Sequence, residues 1–275
     1  MAILESSNPW LDQHYAVPQT LAKVRRRRRL NLLIAGDGSP TVIFAAGMNG
    51  TTLHWARVQR VIAERTRTVA FDKAGLGFSD PGPLPRTAAA VVDDLRAALG
   101  AANIPPPYVL VDHSAGGPQM RLFAFRYPQE VVGMVMVDSS SEHQDRRMDQ
   151  AKSDREIETQ RGEMLRTYSR IARLAADGAL TPGTPDYDLA VGPVMRTVTE
   201  AVWNAHVAQR LSPGFWRALR SESAAFNTVS SEQIVAARKE LGEPPLGDMP
   251  LIVLTAGKSA VPRGEESAAA AEARF

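Results

Sequence analysis

A mostly parallel α/β sheet flanked by helices, interrupted late by a helical insertion, is the fold class this sequence predicts. Three observations predict it. Short apolar runs of strand length alternate with helix-period stretches from residue 30 to residue 137. The run Thr41-Val42-Ile43-Phe44-Ala45 is apolar almost without a break, as a strand covered on both faces is. Residues 139–248 are charged and helical in period, with Gly/Pro breaks and no convincing strand, and strand character returns only at 250–255.

The elements follow in order. A first strand is expected at 30–35, ending in the turn Gly36-Asp37-Gly38-Ser39-Pro40, and the apolar run at 41–45 is the second. After Gly47-Met48-Asn49-Gly50, a helical stretch sets Trp55, Val58, Val61 and Ile62 on one face. The strand at 68–71 leads into Asp72-Lys73-Ala74-Gly75-Leu76-Gly77-Phe78-Ser79-Asp80 and a Pro-rich loop at 81–86. Thr87 is placed to cap a helix running through Leu99. A strand at 108–111, a helix at about 115–127 and a strand at 131–137 complete the first half, and the alanine-rich tail 267–275 reads as a short helix.

Composition narrows the function classes. The 275 residues carry 32 Lys+Arg against 30 Asp+Glu, a net charge of +2, and 44% are hydrophobic, which suits one large domain or a core with an insertion and excludes a disordered chain. With no cysteine, disulfide scaffolds, thiolate zinc sites and cysteine nucleophiles are excluded. The five histidines (His14, His54, His113, His143, His206) are scattered without ligand spacing, so neither a metal nor another cofactor is expected. Gly75-Leu76-Gly77 lacks the third glycine of a dinucleotide fingerprint and opens no helix. No apolar run approaches the roughly 18 residues of a membrane span. The first 23 residues contain Glu5 and Asp12 and do not read as a signal peptide, so a cytoplasmic protein is expected. The basic run Arg25-Arg26-Arg27-Arg28-Arg29 has no interleaved aromatics or second cluster, and reads as a solvated lead-in to a strand rather than a nucleic-acid surface.

The sharpest motif is Val109-Leu110-Val111-Asp112-His113-Ser114-Ala115-Gly116-Gly117, which sets a serine between a buried strand and a helix. A tight strand-to-helix turn exposes the Ser114 hydroxyl and demands small neighbours. The Ala115 N–H, at the helix start, can then donate to an oxyanion with the helix dipole behind it. A second donor is expected from the loop after an earlier strand, which makes the Met48 N–H its partner. Asp112 adds a Cβ and a charge where strand and helix pack closely. Buried alone a carboxylate is expensive, so Asp112 is expected to find a partner or a polar site, and to tune or handicap catalysis. His113 reads as a packed elbow residue beside the site rather than as the base, because adjacent residues at a strand end point to opposite sides.

In the loop Ala46-Gly47-Met48-Asn49-Gly50, the segment Asp72-x-x-Gly75-x-Gly77-x-Ser79-Asp80, the elbow at Ser114 and the strand end Val137-Asp138, the chain resembles the α/β-hydrolase family, especially its esterase-like members with a helical cap. The resemblance covers about residues 30–255. It implies a core of residues 1–138 and 249–275 with a cap of 139–248. It also implies a serine hydrolase that cleaves a carboxylic ester, or a related acyl bond, of a small-molecule substrate through an acyl-enzyme on Ser114. Amide, lactone and C–C bond hydrolysis share that machinery. Carboxylate-nucleophile relatives such as dehalogenases and epoxide hydrolases would place Asp at position 114, and serine there speaks against them. The family usually has glycine where Asp112 stands.

A serine hydroxyl needs a base, and the base an orienting carboxylate; the chain order is Ser, acid, His. Asp138, closing the strand after the elbow helix, is the preferred acid; its structural alternative is a turn carboxylate bonding the N–H of Ser140 or Ser141. The family base follows one further strand and precedes a last helix, both expected beyond Phe275. Three accounts of the base stand side by side: a histidine beyond Phe275, substitution by His143 or His206, or a hydrolase fold that binds ligand without efficient turnover. Trp203, His206 and Arg210 fall on one helical face, either lining a pocket or packing lid on core. Asn49, His113, His143, Trp203 and His206 are the candidate substrate contacts. Met148, Met164, Met195, Phe215 and Trp216 suit an apolar pocket or a core equally.

Overall fold

The computed structural model describes residues 7–25, 27–142, 144, 152–193, 197–242 and 246–257. Its strands are β1 (Thr20–Arg25), β2 (Arg28–Ala35), β3 (Thr41–Ala45), β4 (Thr68–Phe71), β5 (Tyr108–His113), β6 (Val131–Val137) and β7 (Leu251–Leu254). Its helices are α1 (Pro9–Tyr15), α2 (Ala56–Ile62), α3 (Ala88–Ala101), α4 (Gly116–Arg126), α5 (Asp154–Ala176), α6 (Pro185–Val191), α7 (Glu200–Arg210), α8 (Pro213–Ala225) and α9 (Ser231–Leu241). The strands form one sheet in the order β1-β2-β4-β3-β5-β6-β7. From β4 to β7 the neighbours run parallel, and β1 and β2 are antiparallel to theirs.

The period-2 geometry of the central strands divides the core in two. Along β3, Ile43 and Ala45 face a cluster with Val69, Leu110, Leu95 of α3 and Met120 and Phe123 of α4. Phe44, between them, turns to the opposite face and meets Ala70, Val111 and Trp55, its ring 5.0 Å from that of Trp55. Each large side chain buried fully in this way contributes about 1.5–3 kcal/mol, which holds β3 and β5 rigid beneath the loops that leave their C-terminal ends.

The structure corrects the sequence reading in two places. The first strand is β1, not β2, and Arg25 at the end of β1 pairs with Arg28 at the start of the antiparallel β2. An edge strand needs no apolar run, and in β1 only Ala22 is buried. One guanidinium is drawn inward, that of Arg28, 2.5 Å from Asp94, whereas that of Arg29, 3.1 Å from Asp80, stays exposed as expected. The expected apolar face of α2 is split: Trp55 and Ile62 pack in the Phe44 cluster, whereas Val58 and Val61 are 45% and 59% exposed. The helix buries Ala56 and Gln59 instead, because the Gln59 amide bonds the Leu33 carbonyl and the Thr68 hydroxyl across the sheet.

Between β6 and β7 the described residues of 152–242 are helical with connecting turns. Ile171 and Ala172 of α5 pack on Phe215, Trp216 and Leu219 of α8, and Val202 of α7 packs on Leu11 and Tyr15 of α1. Ile234 of α9 joins the sheet's own cluster beside α3 and α4. The alanine-rich tail lies outside the described residues. Among those residues no helix is long and apolar enough to cross a membrane.

Candidate active site

β5 is buried between β3 and β6 and ends at His113, and α4 starts at Gly116, so two residues must reverse the chain. Ser114 does so at φ +52°, in the left-handed region that costs an L-residue roughly 1–2 kcal/mol. Its carbonyl accepts from the N–H groups of Gly117 at 3.0 Å and Ser140 at 2.9 Å. The turn leaves no room under the helix: a Cβ at Gly117 would collide with Ser139 Oγ and stand 3.0 Å from Asp112 Oδ1.

The loop after β3 lies directly against this elbow, since a Cβ at Gly47 would be 3.3 Å from both His113 Nδ1 and Ser114 Cβ. Among the described residues, neither the Met48 N–H nor the Ala115 N–H donates to a protein group. Met48 follows Gly47 in that loop and Ala115 follows the half-buried Ser114 in the turn.

Asp72 secures the far side of the loop. One carboxylate oxygen accepts from the Thr52 N–H at 2.8 Å, and the other from Asn31 Nδ2 at 2.9 Å and the Phe78 N–H at 3.0 Å. Burial raises its pKa, and these donors oppose the rise. Lys73, next in sequence, is buried and bonds the carbonyls of Gly47 and Met48 and the Glu222 carboxylate. Burial pulls its ammonium below the ordinary value, and Glu222 opposes the fall. Sequence reading missed Lys73 and Glu222; the signal available was a lysine inside an otherwise apolar and glycine-rich segment.

Asp138 also has positive φ, +43°, and sits at the end of β6 opposite Ser114, because His113 pairs with Val137. It is exposed, its N–H donates to the Leu254 carbonyl at 2.7 Å, and its Oδ1 is 3.4 Å from the Ala256 N–H. The two N–H groups of the turn-carboxylate alternative go elsewhere, that of Ser140 to the Ser114 carbonyl and that of Ser141 to Gln144 Oε1. His143 lies outside the described residues, as do Met148 and Met195. His206 Nε2 is 3.1 Å from the Val191 carbonyl oxygen. Burial lowers the His206 pKa to about 4, so the ring is neutral, and the tautomer that meets a carbonyl carries its proton on Nε2. It stacks on Trp203, which packs with the α1 cluster. Arg210 of the same helix reaches back to the Asn49 carbonyl at 3.4 Å. Phe215 and Trp216 are buried in the α5–α8 cluster, with Met48 packed against it. Among the described residues, no histidine is hydrogen-bonded to Ser114 or Asp138.

Asp112 is fully buried and neither carboxylate oxygen has a hydrogen bond of ordinary geometry, but of the two outcomes expected for it, a partner or a polar site, the structure supplies the second in Ser139 and Arg121. Burial pushes the carboxyl up to about 6, with the adjacent Ser139 hydroxyl and the Arg121 guanidinium opposing. The folded state therefore holds this proton more tightly than an unfolded chain, where the value is 3.8. The contribution to stability is largest below the unfolded value and is lost as pH rises through 6. Above that the ionised group costs about 2–3 kcal/mol. Asp112→Asn is expected to flatten the fall in stability between pH 4 and pH 7, read from urea midpoints. An unchanged pH slope would remove Asp112 as its source.

A cavity of about 720 Å³ lies elsewhere, between α1 and α2, lined by Trp10, Leu53, Arg57 and Val198 among others. None of the candidate site residues lines it.

A parallel sheet carrying a strained serine between its central strand and the following helix, beside a donor-bearing loop, defines a protein of α/β-hydrolase architecture. A family model of the alpha/beta hydrolase fold matches residues 40–188, more than half of the chain, and the chain belongs to that family. It is 30% identical over 147 residues to an AB hydrolase superfamily protein of Gibberella zeae, covering 50% of this chain and 46% of that one. It is 28% identical over 129 residues to the uncharacterized protein YqjL of Bacillus subtilis, covering 47% and 48%. The chain spans about half the length of these curated relatives. Haloalkane dehalogenase DatA from Agrobacterium tumefaciens C58 superposes with TM-score 0.61 at 16% identity, over 83% of this chain and 75% of that one. A variant of the N-formylmaleamic acid deformylase Nfo from Pseudomonas putida S16 does so with TM-score 0.55 at 19% identity, over 90% and 85%. At these identities the likeness is one of fold.

Proposed function

We propose that this chain is a serine hydrolase that cleaves a carboxylic ester or related acyl bond through an acyl-enzyme on Ser114. The observation that carries the reading is the Ser114 turn at φ +52° with two unengaged backbone donors, Met48 N–H and Ala115 N–H, beside it. The Ser114 oxygen adds to the substrate carbonyl as its proton passes to a base, and the carbonyl oxygen becomes an oxyanion held by the two N–H groups. Collapse expels the alcohol, which takes up a proton, and water then releases the acid. Asp138, level with Ser114 on the neighbouring strand, is the carboxylate to orient the base. A hydroxyl nucleophile favours acyl transfer. Within 139–248, α8 serves as the cap, seated on the loops after β3 and β4, whereas α9 packs on the sheet's own cluster.

The second reading is a hydrolase fold that binds small acyl ligands without efficient turnover. It is favoured by one observation: His206 is tied to Val191, and no described histidine bonds Ser114. Short-chain p-nitrophenyl ester turnover, with labelling by a serine-directed fluorophosphonate, separates the two. The hydrolase reading expects steady turnover and an adduct mapped by mass spectrometry to Ser114. Neither a burst nor an adduct would leave the binding reading alone.

A further inference from the structure

The bonds of Lys73 have a direction as well as a strength. Lys73 Nζ lies 2.9 Å from the Gly47 carbonyl oxygen and 3.0 Å from that of Met48. In a planar trans peptide the C=O and N–H point to opposite sides. Holding the Gly47 carbonyl on Lys73 therefore aims the Met48 N–H away from it.

Glu222, on α8, accepts with one oxygen from Lys73 Nζ at 2.5 Å and from Gln119 Nε2 at 2.8 Å. Gln119 stands in the first turn of α4, the helix that begins just past Ser114. Lys73, Glu222 and Gln119 are 4%, 5% and 3% exposed. A single carboxylate oxygen thus ties the loop after β3 to the helix behind the serine, and both to α8. The neighbouring Ser223 hydroxyl donates to Met48 Sδ at 2.8 Å, a second tie from α8 to the same residue. Apolar side chains of equal volume would hold α8 at least as well as a buried ion pair does. They would not orient two consecutive carbonyls.

We propose that Lys73, Glu222 and Gln119 are positioning residues that hold the Met48 N–H at the angle the acyl oxyanion requires, so that the seating of α8 sets catalytic competence. The inference rests on the Ser114 reading above.

The test begins with fluorophosphonate labelling of the wild-type chain; no adduct on Ser114 overturns that reading and this inference with it. Loss of a whole oxyanion donor costs about 10²–10³ in rate, and a misaimed donor keeps part of its effect. Lys73→Met is therefore expected to lower kcat for a p-nitrophenyl ester about 10–100-fold with KM within about threefold. It is also expected to narrow the rate difference between an ester and its thionoester, whose sulfur anion accepts weaker hydrogen bonds. Lys73→Arg, which keeps donors and charge, is expected to restore most of kcat. Glu222→Gln keeps the packing, and is expected to move kcat and the thionoester ratio in the same direction; it carries the test if Lys73→Met does not fold. A labelled wild type together with folded variants of unchanged kcat and unchanged thionoester ratio would overturn the positioning role alone. So would a loss of activity that follows only the folded fraction, at a constant ratio.

Discussion

Ser114→Ala is expected to lower ester turnover about 10⁶-fold and to abolish phosphonate labelling, because it removes the hydroxyl on which the proposed acyl-enzyme forms. The loss should fall on kcat, since the hydroxyl is needed for the chemical step. Stability should hardly move: serine and alanine share the strain of φ +52°. Ser114→Gly separates the two demands. Glycine reaches positive φ without the Cβ penalty, so this variant is expected to be equally inactive yet more stable by about 1 kcal/mol. Urea midpoints of the three proteins check the second half, and residual turnover above about 1% of wild type in Ser114→Ala would sink the first. A Ser114→Gly variant no more stable than wild type would mean the turn stores no strain.

The second large effect is on folding. Asp72 gathers the Thr52 N–H, the Phe78 N–H and the Asn31 amide, and so binds the loop after β3, the turn after β4 and strand β2 at one point. Asp72→Ala leaves three buried donors without an acceptor, each costing about 1–3 kcal/mol, offset by removal of a carboxylate that burial already disfavours. A net loss of about 3–5 kcal/mol is expected, a large part of the roughly 5–15 kcal/mol that domains possess. Chemical denaturation at pH 7 measures it. Asp72→Asn retains one acceptor oxygen and should lose less; equal losses in the two variants would show that the donors find other acceptors.

Much of this could be read directly. β3 and β4 lie where uninterrupted apolar runs stand, because strands covered on both faces admit little else. Thr87 caps α3 through a bond from the Ala90 N–H to its hydroxyl, as its position before the helix predicts. The elbow was legible for a similar reason, since its turn accepts few sequences. β1 and the buried face of α2 were not legible. An edge strand and a glutamine bonded across the sheet both take their reason from neighbours distant in the chain. The surroundings of Asp112 were likewise invisible, as Arg121 comes from α4 and Ser139 from beyond the β6 end.

By itself, then, the sequence determined the sheet's parallel centre, the serine turn and the family, because these depend on period and on steric demands within a few residues. Only the tertiary structure decided that Lys73 holds the Met48 loop, that Glu222 comes 149 positions later to meet it, and that His206 turns to Val191. Hydrogen bonds and charges act over about 3 Å in space, whatever the separation along the chain. Local pattern records which side chains must be buried; it does not record which of them meet.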